Sequence, residues 1–171
     1  MFEIDTAGFF RDLEGFLAAQ APAPLSPVDR AARALLQAWP TRDAFWRICG
    51  TEVTGVEVAE YLVGALHILE RDGWHQGHYQ DHRTGARCIR AVLLEARKAG
   101  YGDFDTSCLA ERVLELILCS ATGARTVLFV DWNDAPERTF AEVKALFEDG
   151  IEFARLYGPP PNAAVTVEVV R

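Results

Sequence analysis

Basic residues are in short supply, 17 against 25 acidic ones, for a net charge of −8. A chain this acidic is a poor match for the phosphates of nucleic acid or for an anionic membrane surface, both of which call for a cationic face. Long apolar runs are missing too. Half of the residues are apolar, yet no stretch approaches the roughly 20 consecutive apolar residues needed to cross a bilayer. The opening Met1-Phe2-Glu3-Ile4-Asp5-Thr6 lacks the basic and apolar regions of a secretion signal. Four cysteines, Cys49, Cys88, Cys108 and Cys119, make neither a C-x-x-C pair nor a zinc spacing. No Gly-rich phosphate loop, serine elbow or H-E-x-x-H is present. These absences predict a cytoplasmic protein with reduced thiols, no bound metal or cofactor, and neither nucleic acid nor membrane as partner.

What the sequence does carry is helical periodicity. Phe9, Phe10, Leu13, Phe16 and Leu17 recur at helical spacing behind Asp5 or Thr6 as cap. The proline-rich stretch 21–27 ends that helix, and Ser26-Pro27 opens another bearing Val28, Ala31, Leu35, Leu36 and Trp39 up to Pro40. A short helix with Phe45, Trp46 and Ile48 is expected to close at Gly50. Thr54-Gly55-Val56-Glu57 forms a capping box. The helix behind it carries Val58, Leu62, Ala65, Leu66 and Leu69 to Asp72-Gly73, with His67 expected in or beside the core. Further helices are predicted over 86–99, around Val92 and Leu93, and from about Thr106 to Gly123, with Cys108 and Cys119 in its apolar pattern. A second capping box, Thr139 to Glu142, starts the last helix, which runs through Val143, Phe147 and Ile151 until Gly158-Pro159-Pro160-Pro161 breaks it.

Two segments read as strands, 126–130 (T-V-L-F-V) and 165–170 (V-T-V-E-V-V). Both are β-branched and too short for a helix. They pair in parallel if the intervening helix crosses over. The predicted fold class is therefore mainly α, a compact multi-helix domain with at most one short two-stranded sheet.

The stretch from Gly73 to Cys88 fits neither period. It holds His75, His78 and His82, and residues 73–102 carry five basic residues to two acidic ones, a basic island between acidic flanks. The histidine spacing would share one helical face, but Gly73, Gly77 and Gly85 interrupt any helix, so solvated loop histidines are expected rather than metal ligands. Gly73-Trp74-x-Gln76-Gly77 suits a tight turn that anchors Trp74, and an aromatic beside an amide also suits a ligand. Asp131-Trp132-Asn133-Asp134-Ala135-Pro136 is expected as a loop after the 126–130 strand, with Asn133 tolerating left-handed backbone and Asp134 capping the next turn. Small-molecule sites collect just beyond the carboxyl end of a strand. The candidate ligand-binding residues are Trp74, Gln76, Gly77, Trp132, Asn133 and Asp134.

The motifs G-W-H-Q-G at 73–77, R-C-I-R-A-V-L at 87–93 and W-N-D-A-P-E-R-T at 132–139 resemble a family of small bacterial and phage proteins of unknown function. The resemblance spans about residues 54–157, and Ile89 and Arg90 depart from its preference for small residues after the cysteine. It implies a shared fold core but no activity. Residues 1–50 read as appended N-terminal helices, 51–158 as the family-like core and 159–171 as a tail, within a single helical domain. The function that follows is a non-catalytic binding or regulatory module for a protein or small-molecule ligand, with a homodimer left open. The alternative is a small enzyme, metal-assisted or tailoring, using His78, Cys88 or Asp134. Because the two tryptophan turns would otherwise expose large apolar rings, they are expected to meet at one end of the bundle, with Gln76, Asn133 and Asp134 around a shared pocket.

Overall fold

The computed structural model describes residues 25–39 and 41–161. Seven helices and one hairpin lie among them: α1 (Pro27–Ala38), α2 (Arg42–Phe45), β1 (Arg47–Ile48), β2 (Thr51–Glu52), α3 (Gly55–Asp72), α4 (Ile89–Lys98), α5 (Phe104–Thr122), α6 (Phe129–Asp134) and α7 (Phe140–Tyr157). The mainly helical class is as predicted. The helix expected over the first 20 residues and the strand expected at 165–170 lie outside the described residues.

The helix starts follow the caps. Ser26 accepts from the Asp29 amide at 3.0 Å with Pro27 in the first turn. Thr54 with Glu57 and Thr139 with Glu142 both close as reciprocal capping boxes. Each such cap contributes about 1 kcal/mol by satisfying amides that the helix itself leaves free. Asp103 caps α5 by accepting from the Thr106 amide, so this helix begins slightly earlier than its apolar pattern suggests. Gly123 ends it in left-handed backbone, φ 72°.

The sheet is not the one expected. Thr126–Leu128 have no regular structure, and Phe129 and Val130 open α6. A strand needs a neighbour for its amides, and none lies alongside this segment among the described residues. Phe129 is buried instead as a helical residue, with the Arg90 guanidinium 5.3 Å from its ring centre. The two strands that do form are β1 and β2, antiparallel, with Arg47 opposite Glu52 and Ile48 opposite Thr51. Cys49 (φ 49°) and Gly50 (φ 90°) make the two-residue connection. Positive φ at both positions matches the strand twist of a tight hairpin. The helix expected through Trp46 and Ile48 thus stops at Phe45.

α3, α5 and α7 pack on one another at the centre, with α1 laid against α5 and α7 and α4 against α3. Their facing side chains form one apolar core that includes Leu62, Leu69, Leu93, Leu109, Leu114 and Phe147, all buried. Leu36 of α1, expected on the inward face, and His67 of α3, expected in or beside the core, are exposed. Tyr61 is fully buried, donates to the Leu93 carbonyl and lies 3.0 Å from Ser107 Oγ, tying α3 to α4 and α5. At the other end of α3, Gly55 touches the backbone of α7 and donates its amide to Pro159 O at 2.9 Å.

Candidate functional site

The stretch between α3 and α4 is folded back on itself. Gly73 leaves α3 with φ 85°. The His75 amide then donates to Arg87 O and the Arg87 amide to Gly73 O, both at 3.0 Å. Lower down, Asp81 accepts from the Arg83 amide and from Thr84 Oγ1, both at 2.8 Å, making a local Asp turn. Those bonds hold its carboxyl below the usual range. Arg87 fastens the loop to the helices: its Nε donates to Asp72 Oδ2 at 2.8 Å, and its Nη1 lies 3.7 Å from Glu95. Hydrogen bonds from Arg71 and then Arg87 hold the Asp72 carboxyl at about 2.

This closed loop meets α6. Trp74 Nε1 donates to Asn133 Oδ1 at 2.8 Å. Gln76 Nε2 donates to the carbonyls of Asn133 (2.9 Å) and Ala135 (2.7 Å). The Gly77 amide donates to Asp134 Oδ1 at 2.9 Å. Asn133, buried, also donates to Asp134 Oδ1 at 2.6 Å and to His75 O at 3.4 Å. All six candidate residues thus belong to one constellation. Five of them are hydrogen-bonded within it, and Trp132 is held next to it.

The segment containing Trp132, Asn133 and Asp134 is helical rather than a loop, so Asn133 has ordinary helical backbone and its amide points to the loop. Trp132 is half-buried under Arg138. The guanidinium carbon of Arg138 stands 3.8 Å from the ring centre, its Nε donates to Trp132 O at 3.2 Å, and its Nη1 donates to Glu142 Oε1 at 2.9 Å. Phe140 stacks on Trp74 with ring centres 6.4 Å apart and planes 6° from parallel. The sequence reading missed Arg138 and Phe140. The signal was there: both sit within or next to the W-N-D-A-P-E-R-T run, one turn past a proline that brings the chain back over Trp132.

Chemically, this is a lock more than an open cleft. Its amide and carboxylate groups bond one another, and solvent meets Phe140, Leu128 one helical turn before Trp132 and Tyr79 on the loop, together with the exposed polar residues His78, Asp131, Asp134 and Glu137. His78 and His82 are exposed, and the rings of His75 and His78 are 6.4 Å apart. Among the described residues no three His, Cys, Asp or Glu side chains converge as a metal site requires. Cys88 is buried as the cap residue of α4, and Asp134 is held by Gly77 and Asn133. No helix of the described residues is long and apolar enough to cross a membrane.

Residues 53–153 match the family described as "Family of unknown function (DUF6197)". The chain belongs to DUF6197. The match takes in all of α3, α4, α5 and α6, most of α7, and both halves of the lock, and it agrees closely with the span of the resemblance seen in the sequence. No curated protein and no solved structure matches this DUF6197 chain.

Proposed function

We propose that this DUF6197 protein is a binding module without catalytic activity, and that it engages a protein partner at the surface over the lock. The observation that supports this reading is how the polar groups of the two motifs are used. They hold Trp74 and the α6 segment that carries Trp132 in place through hydrogen bonds to each other. A site that performs acid–base or nucleophilic chemistry keeps such groups directed at the reacting atoms. Here they stiffen a surface on which Tyr79, Leu128 and Phe140 stand exposed among acidic residues, and aromatic side chains are among the types that carry binding energy at protein interfaces. A prebuilt surface loses little conformational freedom on binding. The free thiols of all four cysteines fit a reducing compartment, and the cytoplasm is the setting of this proposal.

The test selects peptides from a phage-displayed random library on the full chain and measures their affinity for three surface variants, Tyr79→Ala, Leu128→Ser and Phe140→Ala. Selected peptides should bind at least about tenfold more weakly to one or more variants whose melting temperature is unchanged. Peptides indifferent to all three changes would place the interaction elsewhere and end this reading.

A further inference from the structure

A separate groove of about 870 Å³ runs between α1 and the second half of α5. Ala34, Ala38 and Trp39 form one apolar wall, with Leu116 and Val127 opposite. Its size and mostly apolar lining are those of a small-molecule site, which typically spans about 300–1,000 Å³ with a few placed polar groups. The polar groups here are of one kind. Arg30, Arg33, Arg112 and Arg125 all line it, against a single carboxylate, Glu115.

None of these four guanidiniums has a carboxylate within ion-pairing distance among the described residues, whereas Arg47, Arg71, Arg87 and Arg138 each do. Arg30 Nε is shut off from solvent with no hydrogen-bond partner. Arg112 is fixed in place, donating to Phe45 O at 2.8 Å and lying 5.4 Å from the Trp39 ring centre. Its bonds go to the backbone carbonyls of Phe45 and Arg47, and Glu115, one turn along α5, is the one lining carboxylate that feels its charge. Unpaired cations held beside an apolar wall are stabilised by an anion that brings apolar surface with it. The last turn of α5, the negative end of its dipole, forms part of the wall through Ser120 and Gly123, and Glu115 stands beside it. Both favour a singly charged guest over a doubly charged phosphate.

We propose that this groove binds a small carboxylic acid with a hydrocarbon body, its carboxylate on the unpaired arginines and its chain along Trp39, Leu116 and Val127. The site lies on different elements from the lock, so it stands or falls independently of the proposed protein-binding surface.

The probe is decanoate, titrated into the isotope-labelled full chain by NMR, with decanol and octyl phosphate as comparisons. Decanoate should bind saturably and shift the Trp39 indole signal and the amides of residues 116–127. Decanol, with the same body and no charge, should bind about tenfold more weakly or worse. Arg33→Gln and Arg125→Gln should each weaken decanoate several-fold, and Ala34→Trp should block it by filling the groove. Each of several results would overturn the proposal. They are decanol binding as well as decanoate, octyl phosphate binding more tightly, or nuclear Overhauser contacts from Phe9 or Phe10 to Trp39 or Val127 showing the groove filled by the chain's own N-terminal segment. Shifts confined to other surfaces overturn it equally.

Discussion

Asn133→Ala should be among the most damaging single changes in this chain, and its cost should depend on Trp74. Asn133 is 1% exposed and is the acceptor for the Trp74 indole N–H at 2.8 Å. Truncation to alanine removes that acceptor and both bonds made by its amide nitrogen. A lost hydrogen bond costs about 1 kcal/mol net, and a buried donor left unpaired costs about 1–3 kcal/mol more, so the expected loss is about 2–4 kcal/mol. With a urea slope of about 2 kcal/mol/M, the midpoint should fall by about 1–2 M. Trp74→Phe keeps the stack on Phe140 but has no N–H to strand. In that background Asn133→Ala should cost about 1–2 kcal/mol less, because the unpaired donor is already gone. The assay is urea unfolding followed by circular dichroism at 222 nm on the four proteins of the cycle. Additivity to within about 0.5 kcal/mol would show that the two side chains do not depend on one another, and the account of the lock would fail.

Gly55→Ala should destabilise by about 2 kcal/mol or more despite alanine's better helix propensity. Its Cβ would lie 2.1 Å from Ala154 O and 2.7 Å from Gly158 Cα, both backbone atoms that cannot swing aside, and calorimetry showing no drop in Tm would refute this. Two acids should respond to pH with opposite sign. Asp72 has its carboxyl lowered to about 2 by Arg71 and Arg87, so the stability it contributes is present above its unfolded value of 3.8 and is lost as pH falls toward 2. Asp72→Asn should therefore be less stable than the parent at pH 7, with the gap closing below pH 4 in a series of melts. Glu111 is raised by burial, only partly offset by Arg90 and Arg97, so its charged form disfavours the fold at neutral pH. Glu111→Gln should melt higher than the parent at pH 7, with the gain shrinking as pH falls and disappearing below the unfolded value of 4.5. A gain independent of pH would mean that packing, not charge, is responsible.

The reach of the sequence is clearest where the information is local. Thr54 with Glu57, Thr139 with Glu142, and Ser26 with Pro27 name their helix starts because each cap involves residues at most three apart. Apolar spacing likewise marked α3, α5 and α7, since a helix of 18 or 19 residues repeats its inward positions several times. It also singled out the two tryptophan turns and anticipated their meeting, from the cost of leaving large rings in water. Tertiary structure decided the rest. Val127, Phe129 and Val130 have strand-like side chains, but a strand exists only with a partner. Packing of Phe129 under Arg90 makes that segment a coil running into a helix. The hairpin at Cys49-Gly50 is two residues a side, too short for any period to register. Which groups in the lock bond to which is also beyond sequence, because Trp74 and Asn133 are 59 residues apart and their pairing depends on where α6 lands. So does the α1–α5 groove, whose arginines come from two helices and a connecting loop and share a cavity only once those pack together.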